Sequence, residues 1–138
     1  MARDVFHDAV KQALEKDGWT ITDDPLFFRF EGRNIFMDLG AESLIGARQA
    51  GRRIAVEVKS FVSPSPLSEF HGVLGQFLNY QFILDRMDLE RTLYTAVPED
   101  AFKNFFLRST IVQTQIERFD IRILVYSPDR SEVVLWQE

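Results

Sequence analysis

The sequence contains no cysteine among its 138 residues. This absence excludes disulfide bonds, thiolate metal sites and cysteine nucleophiles, and it agrees with a protein of the reducing cytoplasm. The chain also lacks an apolar stretch long enough to cross a bilayer, and its opening residues, 1–4, lack the hydrophobic region of an export signal. We therefore expect a cytoplasmic protein with no membrane partner.

An excess of positive charge is also missing, because 16 Lys and Arg face 21 Asp and Glu and leave a net charge of −5. Such a balance argues against broad electrostatic wrapping of nucleic acid. It does not forbid a local basic face, for which Arg48, Arg52 and Arg53, with Arg29 and Arg33 upstream, are the candidates. Scattered surface arginines are the simpler explanation of the same residues.

No repeat, low-complexity tract or long linker divides the chain, so we expect one domain over residues 1–138. With 46% hydrophobic residues and thirteen phenylalanines, the chain can bury a core, which excludes wholesale disorder.

Apolar spacing predicts an amphipathic helix over residues 3–17, ended by Gly18, and a long helix over residues 67–88, capped by Ser65 and begun by Pro66. Short helices are predicted within residues 98–117, and a loop of small residues from Gly40 to Gly51. Strands are predicted at residues 19–21, 26–30, 34–39, 52–61, 91–97, 121–126 and 132–136, the second and third forming a hairpin. This order predicts an α/β fold, an α+β three-layer sandwich with a mixed central β-sheet flanked by helices.

Within the predicted strand 52–61, Glu57 and Lys59 are two residues apart and therefore share a face. A carboxylate and an ammonium on an otherwise apolar strand carry a desolvation cost. Metal chemistry would account for them, since a carboxylate holds a divalent ion and a lysine steadies a nucleophilic water. A surface salt bridge that merely solubilises the strand is the alternative.

Asp38 ends the predicted strand 34–39, nineteen residues before Glu57. A lone aspartate at a strand end is usually a turn former. If the strands 34–39 and 52–61 are neighbours, however, Asp38 and Glu57 can reach one hard cation from two backbones. Mg²⁺ favours such sparse carboxylate ligation, completed by water and substrate phosphate oxygens.

Gln76 and Tyr80 are four residues apart on the predicted long helix and share one of its faces. An amide and a phenol placed together there can orient a nucleotide or support the carboxylates. The alternative is an ordinary helix with a half-exposed polar edge.

Taken in order, Asp38, Glu57-Val58-Lys59 and Gln76-x-x-x-Tyr80 resemble the restriction-endonuclease-like PD-(D/E)xK nuclease superfamily. The resemblance implies a restriction-endonuclease-like core in which Asp38, Glu57 and the backbone carbonyl of Val58 bind Mg²⁺ or Mn²⁺. It implies that Lys59 positions the attacking water while Gln76 and Tyr80 support the site or the substrate.

The chain departs from this superfamily at two positions. Met37 stands where a proline commonly precedes the aspartate, and the first-helix glutamate of many relatives falls at or near His7. A histidine there would act as an additional metal ligand or a base, or it would cap the helix or pack against the sheet.

A closer resemblance, to the XisH family of fdxN-element excision controlling factors of cyanobacteria, runs essentially end to end. It is carried by residues 2–11 (ARDVFHDAVK), 14–19 (LEKDGW), 55–61 (AVEVKSF), 75–80 (GQFLNY) and 133–136 (VVLW). It implies a role in programmed excision of a DNA element, with DNA, a site-specific recombinase and a small XisI-like companion protein as partners.

These expectations favour a Mg²⁺-dependent endonuclease acting on DNA, although the residues alone do not decide that the chain is an enzyme. The competing class is a non-catalytic regulatory module of the same fold that binds the companion or steers the recombinase. A third alternative is a structural α/β domain. A homodimer would suit cleavage of both strands of a duplex.

Overall fold

The computed structural model describes residues 2–43 and 51–138. The elements in chain order are α1 (Ala2–Lys16), β1 (Thr20–Asp23), β2 (Leu26–Phe30), β3 (Arg33–Met37), β4 (Leu39–Ser43), β5 (Arg52–Val58), α2 (Pro66–Met87), β6 (Arg91–Pro98), α3 (Glu99–Ala101), a π-helical turn (Phe102–Phe106), α4 (Thr110–Arg118), β7 (Ile123–Ser127) and β8 (Glu132–Gln137). Among these residues, no helix is both long enough and apolar enough to cross a membrane.

The central sheet has the strand order β1-β4-β5-β6-β7-β8. Its middle pairs, β5 with β6 and β6 with β7, are parallel, while the outer pairs are antiparallel. Long crossovers containing helices join the parallel strands, as this connection requires. The predicted mixed sheet flanked by helices is therefore confirmed.

Helix α1 covers one face of this sheet. It buries Ala9, Val10 and Leu14 against a cluster that includes Ile54 and Val56 of β5. Residue 18 follows the helix at φ 94°, a conformation that glycine adopts without steric cost, so the predicted stop is confirmed.

Helix α2 covers the other face, together with α4 and the separate two-stranded hairpin β2–β3. Its start is as predicted, because the Ser65 hydroxyl accepts a hydrogen bond from the Ser68 N–H at 3.2 Å and Pro66 is the first helical residue. Ala55 belongs to the α2-side core. Since side chains alternate along a strand, Glu57 points to this same face.

The predicted third strand and the loop after it are only partly correct. Residues 34–39 do not form one strand, because β3 ends at Met37 and β4 begins at Leu39. Residues from Gly40 onward, expected to be a loop, instead continue β4 through Ser43 and pair with β5. Residues 44–50 of that predicted loop, which include Arg48, lie outside the described residues.

Glycine occurs at position 40 of β4 because a buried arginine lies against the strand there. The Arg91 side chain is 5% exposed, and its guanidinium donates to the Ile54 carbonyl at 2.9 Å and to Asp88 at 3.1 Å. A Cβ atom on Gly40 would lie 2.7 Å from Arg91 Nη1. Glycine therefore leaves the space that the guanidinium occupies.

The same network joins α2 to β5 through Asp88. Arg53 donates two hydrogen bonds to this carboxylate, at 2.8 and 2.9 Å. Burial alone would raise the pKa of Asp88, but the hydrogen bonds from Arg53 and Arg91 hold the pKa below its ordinary value. The charges at this end of β5 are thus structural.

Gly40→Ala should lower the free energy of unfolding by about 1–3 kcal/mol, because the new methyl group overpacks against Arg91. Gly75→Ala is the matched control, since nothing lies within 4 Å of a Cβ atom at this position in α2. It should raise the free energy by about 0.5–1 kcal/mol through the helix preference for alanine. Urea denaturation measures both, and a Gly40→Ala protein as stable as the wild type would contradict this packing.

Candidate functional site

The candidate site begins at Asp38, the residue between β3 and β4. Leu39 pairs with Val56 in the antiparallel ladder of β4 and β5, so Asp38 stands opposite Glu57 at the end of that ladder. The two carboxylates therefore come together on neighbouring strands, as the sequence predicts. The neighbour of β5 is β4, however, and not the expected strand 34–39.

Two crossed hydrogen bonds join these residues. The Asp38 N–H donates to Glu57 Oε1 at 2.8 Å, and the Val58 N–H donates to Asp38 Oδ2 at 2.7 Å. The Glu57 residue is only 7% exposed. Because N–H and C=O of one residue in an extended strand point to the same side, the Val58 carbonyl also points towards Asp38.

Lys59 follows directly after β5, where the strand was predicted to continue. Its N–H donates to the Ala96 carbonyl at 2.9 Å, and its carbonyl accepts from the Tyr126 hydroxyl at 3.0 Å. These bonds fix its backbone. Burial raises the pKa of Tyr126, which keeps the phenol protonated as a donor. Phe61, at φ 52°, then turns the chain away from the sheet.

Lys59 lines a cleft of about 490 Å³ between the end of β5 and α2. Val58, Gly72 and Gln76 line the same cleft. Lys59 and Gln76, both singled out in the sequence, therefore line one cavity. An ammonium and an amide on the two walls are suited to a phosphate or a water between them.

Tyr80 lies near both carboxylates. Burial raises the pKa of its hydroxyl, the negative charge of Glu57 raises the pKa further, and Asp38 contributes in the same direction. A hydrogen bond with the Gln76 side chain acts the opposite way. Gln76 and Tyr80 thus share one face of α2, as their spacing predicts, and Tyr80 lies near the Asp38–Glu57 pair.

The structure does not bring His7 to this group. Its Nε2 atom lies 2.7 Å from Asp24 Oδ1, and Lys11 Nζ lies 2.9 Å from the other oxygen of Asp24. Burial would raise the pKa of Asp24, but the hydrogen bonds from Lys11 and His7 lower it. Helix α1 covers the sheet face opposite to α2, whereas Glu57 points to the α2 face.

Glu69 is a site residue that the sequence analysis missed. It lines the same cleft as Lys59, and its Oε1 accepts a hydrogen bond from the Ser63 N–H at 3.0 Å. The signal was available, because Glu69 precedes Gln76 by seven residues, or two helical turns, and so shares its face.

The predicted basic cluster at the start of β5 is not a free phosphate patch. Arg53 pairs with Asp88 and Glu42, and Arg52 pairs with Glu138. These guanidinium groups already form ion pairs with carboxylates. They lie at the start of β5, whereas Glu57 lies near its end.

The donor set at the Asp38–Glu57 pair fits a sparsely ligated hard cation. Within residues 2–43 and 51–138, no cluster of three or more His, Cys, Asp or Glu side chains could hold a metal. An ion at this site would therefore use two carboxylates, the Val58 carbonyl and water. All of these donors are oxygen atoms, which Mg²⁺ and Mn²⁺ prefer.

Comparison with known proteins places the chain in one family. The family described as XisH protein matches residues 1–134. A crystal structure of an XisH family protein from Nostoc punctiforme is 42% identical, with a TM-score of 0.87 over 98% of this chain and 100% of that one. A crystal structure of a fdxN element excision controlling factor protein from Anabaena variabilis is also 42% identical, with a TM-score of 0.86 over 99% of this chain and 100% of that one. No curated protein matches the chain.

Glu57→Ala should lower the free energy of unfolding by about 1–3 kcal/mol, because the Asp38 N–H loses its side-chain acceptor. Glu57→Gln retains an acceptor oxygen at the same position and should stay within about 1 kcal/mol of the wild type. Urea denaturation of both variants separates the contribution of the hydrogen bond to stability from that of the charge. Equal stability of the two variants would contradict the assigned bond.

Proposed function

Because this chain belongs to the XisH family, we propose that it is a controlling factor for excision of a DNA element and that it hydrolyses phosphodiester bonds in DNA with Mg²⁺ or Mn²⁺. Support for the first part comes from the Anabaena variabilis relative, which is described as a fdxN element excision controlling factor. Support for the second part comes from the site.

One observation carries the hydrolytic proposal. Asp38 and Glu57 are joined through crossed hydrogen bonds of 2.7 and 2.8 Å at the end of β5. The next two residues along the chain, Val58 and Lys59, line one cleft. Both carboxylates accept backbone N–H groups, and they stand beside an ammonium in a partly desolvated position, which costs free energy. Binding of a cation and a phosphate accounts for both charges.

In this proposal Asp38, Glu57 and the Val58 carbonyl hold the ion. When bound, Mg²⁺ supplies a Lewis acid that neutralises charge on the scissile phosphate. Lys59 orients the attacking water in the cleft and stabilises the negative charge that develops on the phosphate oxygens. Gln76 and Tyr80 position the carboxylates and the substrate from the opposite wall.

A second candidate is a non-catalytic regulatory module that binds an XisI-like companion, a site-specific recombinase or a second copy of this chain. A specific observation favours it. Phe27 and Phe36, 49% and 52% exposed, are cross-strand partners on the outer face of the hairpin, with ring centroids 5.2 Å apart. Exposed aromatic pairs are typical anchors of protein interfaces.

Asp38→Asn should abolish binding of divalent metal while keeping a side-chain acceptor for the Val58 N–H. Lys59→Met should retain metal binding but slow cleavage by roughly a hundredfold or more, since it removes stabilisation of the transition-state charge. Calorimetric titration with Mn²⁺ and cleavage of plasmid and branched DNA measure the two effects. His7→Ala is the matched control and should change neither.

Metal binding with no cleavage of any DNA would favour the regulatory module. Absence of metal-dependent heat in the wild type would overturn the hydrolytic proposal. Loss of metal binding in His7→Ala would instead return His7 to the ligand set.

A further inference from the structure

A second cleft lies between α2 and the hairpin β2–β3. It measures about 530 Å³ and is lined by Arg33, Phe30 and Glu31 of the hairpin and by Asn79, Phe82 and Ile83 of α2. We call it the hairpin cleft. Neither the carboxylate pair nor Lys59 belongs to it, so it is a separate feature of the surface.

Two arginines lie at the hairpin cleft, one as a lining residue and one stacked on the lining residue Phe82. Arg33 is exposed, and the Arg86 guanidinium lies over the Phe82 ring at 4.9 Å from its centroid. Within the described residues, neither arginine pairs with a carboxylate, whereas Arg53, Arg91 and Arg130 all do. Glu31 is the acidic residue among those that line the cleft.

The hairpin cleft follows the same flank of α2 as the candidate site. Gln76 lines the Lys59 cleft and Asn79 lines the hairpin cleft, and residues three apart on a helix are neighbours. Phe82 lies six residues beyond Gln76, roughly 9 Å along the helix axis. That distance corresponds to roughly three nucleotides of one DNA strand.

We propose that the hairpin cleft binds the phosphate backbone of duplex DNA, so that the same strand continues into the Asp38–Glu57 site. Arg33 and Arg86 contact phosphates, and the Asn79 amide donates to the sugar–phosphate backbone. Phe82 holds the Arg86 guanidinium in place. This inference rests on the proposed function and adds the surface by which the substrate is held.

Charge and geometry single out a polyanion as the occupant. In a chain of net charge −5, two unpaired arginines beside one cleft form a local positive feature that attracts a highly charged partner. Guanidinium groups match phosphate oxygens through paired N–H donors. Contacts of this kind position a duplex without reading its sequence.

Fluorescence anisotropy with a fluorescein-labelled duplex tests the proposal, using the full chain in EDTA so that no cleavage occurs. The variant is Arg33→Gln/Arg86→Gln. The matched control is Arg108→Gln/Arg118→Gln, which removes two exposed arginines, one just before α4 and one at its last residue. The logarithm of the association constant is plotted against the logarithm of salt concentration over about 50–200 mM.

The test pair should make the salt slope shallower by roughly 1–2 and weaken binding at low salt roughly tenfold or more, since each lost phosphate contact contributes about 0.9 to the slope. The control pair should leave the slope unchanged. Glu31→Gln should strengthen binding, because it removes a negative charge beside the phosphates.

If the wild type binds the duplex and the test pair keeps its slope, the hairpin cleft is not the contact surface and the proposed function survives. Weaker binding with an unchanged slope would also overturn the proposal, because phosphates would then not be the groups contacted. If the wild type binds no duplex even at low salt, the proposed action on DNA fails together with this inference.

Discussion

The crossed hydrogen bonds between Asp38 and the Glu57–Val58 segment form the constraint on which this molecule depends. They close the β4–β5 ladder at the point where the chain passes from the hairpin into the central sheet. The same two bonds set the direction of both carboxylates and of the Val58 carbonyl. One arrangement therefore fixes the end of a strand, the docking of the hairpin and the donor set of the site.

The charges of β5 divide by position along the strand. At its start, Arg53 and the neighbouring Arg91 share Asp88 in a network that is satisfied within the protein. At its end, Glu57 accepts a hydrogen bond from the Asp38 N–H, and Lys59 lines a cleft of about 490 Å³. This network joins the end of α2 to β5 and β6 through Asp88. Residues of α2 line both clefts. The ion pairs at the start of β5 are thus separate from the proposed chemistry at its end.

Much of this arrangement could be predicted, because it depends on short-range periodicity. The alternation of side chains along a strand predicted that Glu57 and Lys59 share a face, and helical spacing predicted that Gln76 and Tyr80 share a face. Strand β4 was missed because Gly40 and its small neighbours read as a loop, whereas the glycine leaves room for Arg91, a residue 51 positions later. The contact of His7 with Asp24 was unpredictable for a similar reason, since which sheet face α1 covers is decided by packing.

A crystal structure of this protein soaked in Mn²⁺, with anomalous diffraction used to locate the ion, tests whether Asp38 and Glu57 form a metal site. We predict one peak bonded to a carboxylate oxygen of Asp38, a carboxylate oxygen of Glu57 and the carbonyl oxygen of Val58, with the remaining positions filled by water. Carboxylates that point apart with no ion between them, or a peak bound at His7 and Asp24 instead, would contradict it.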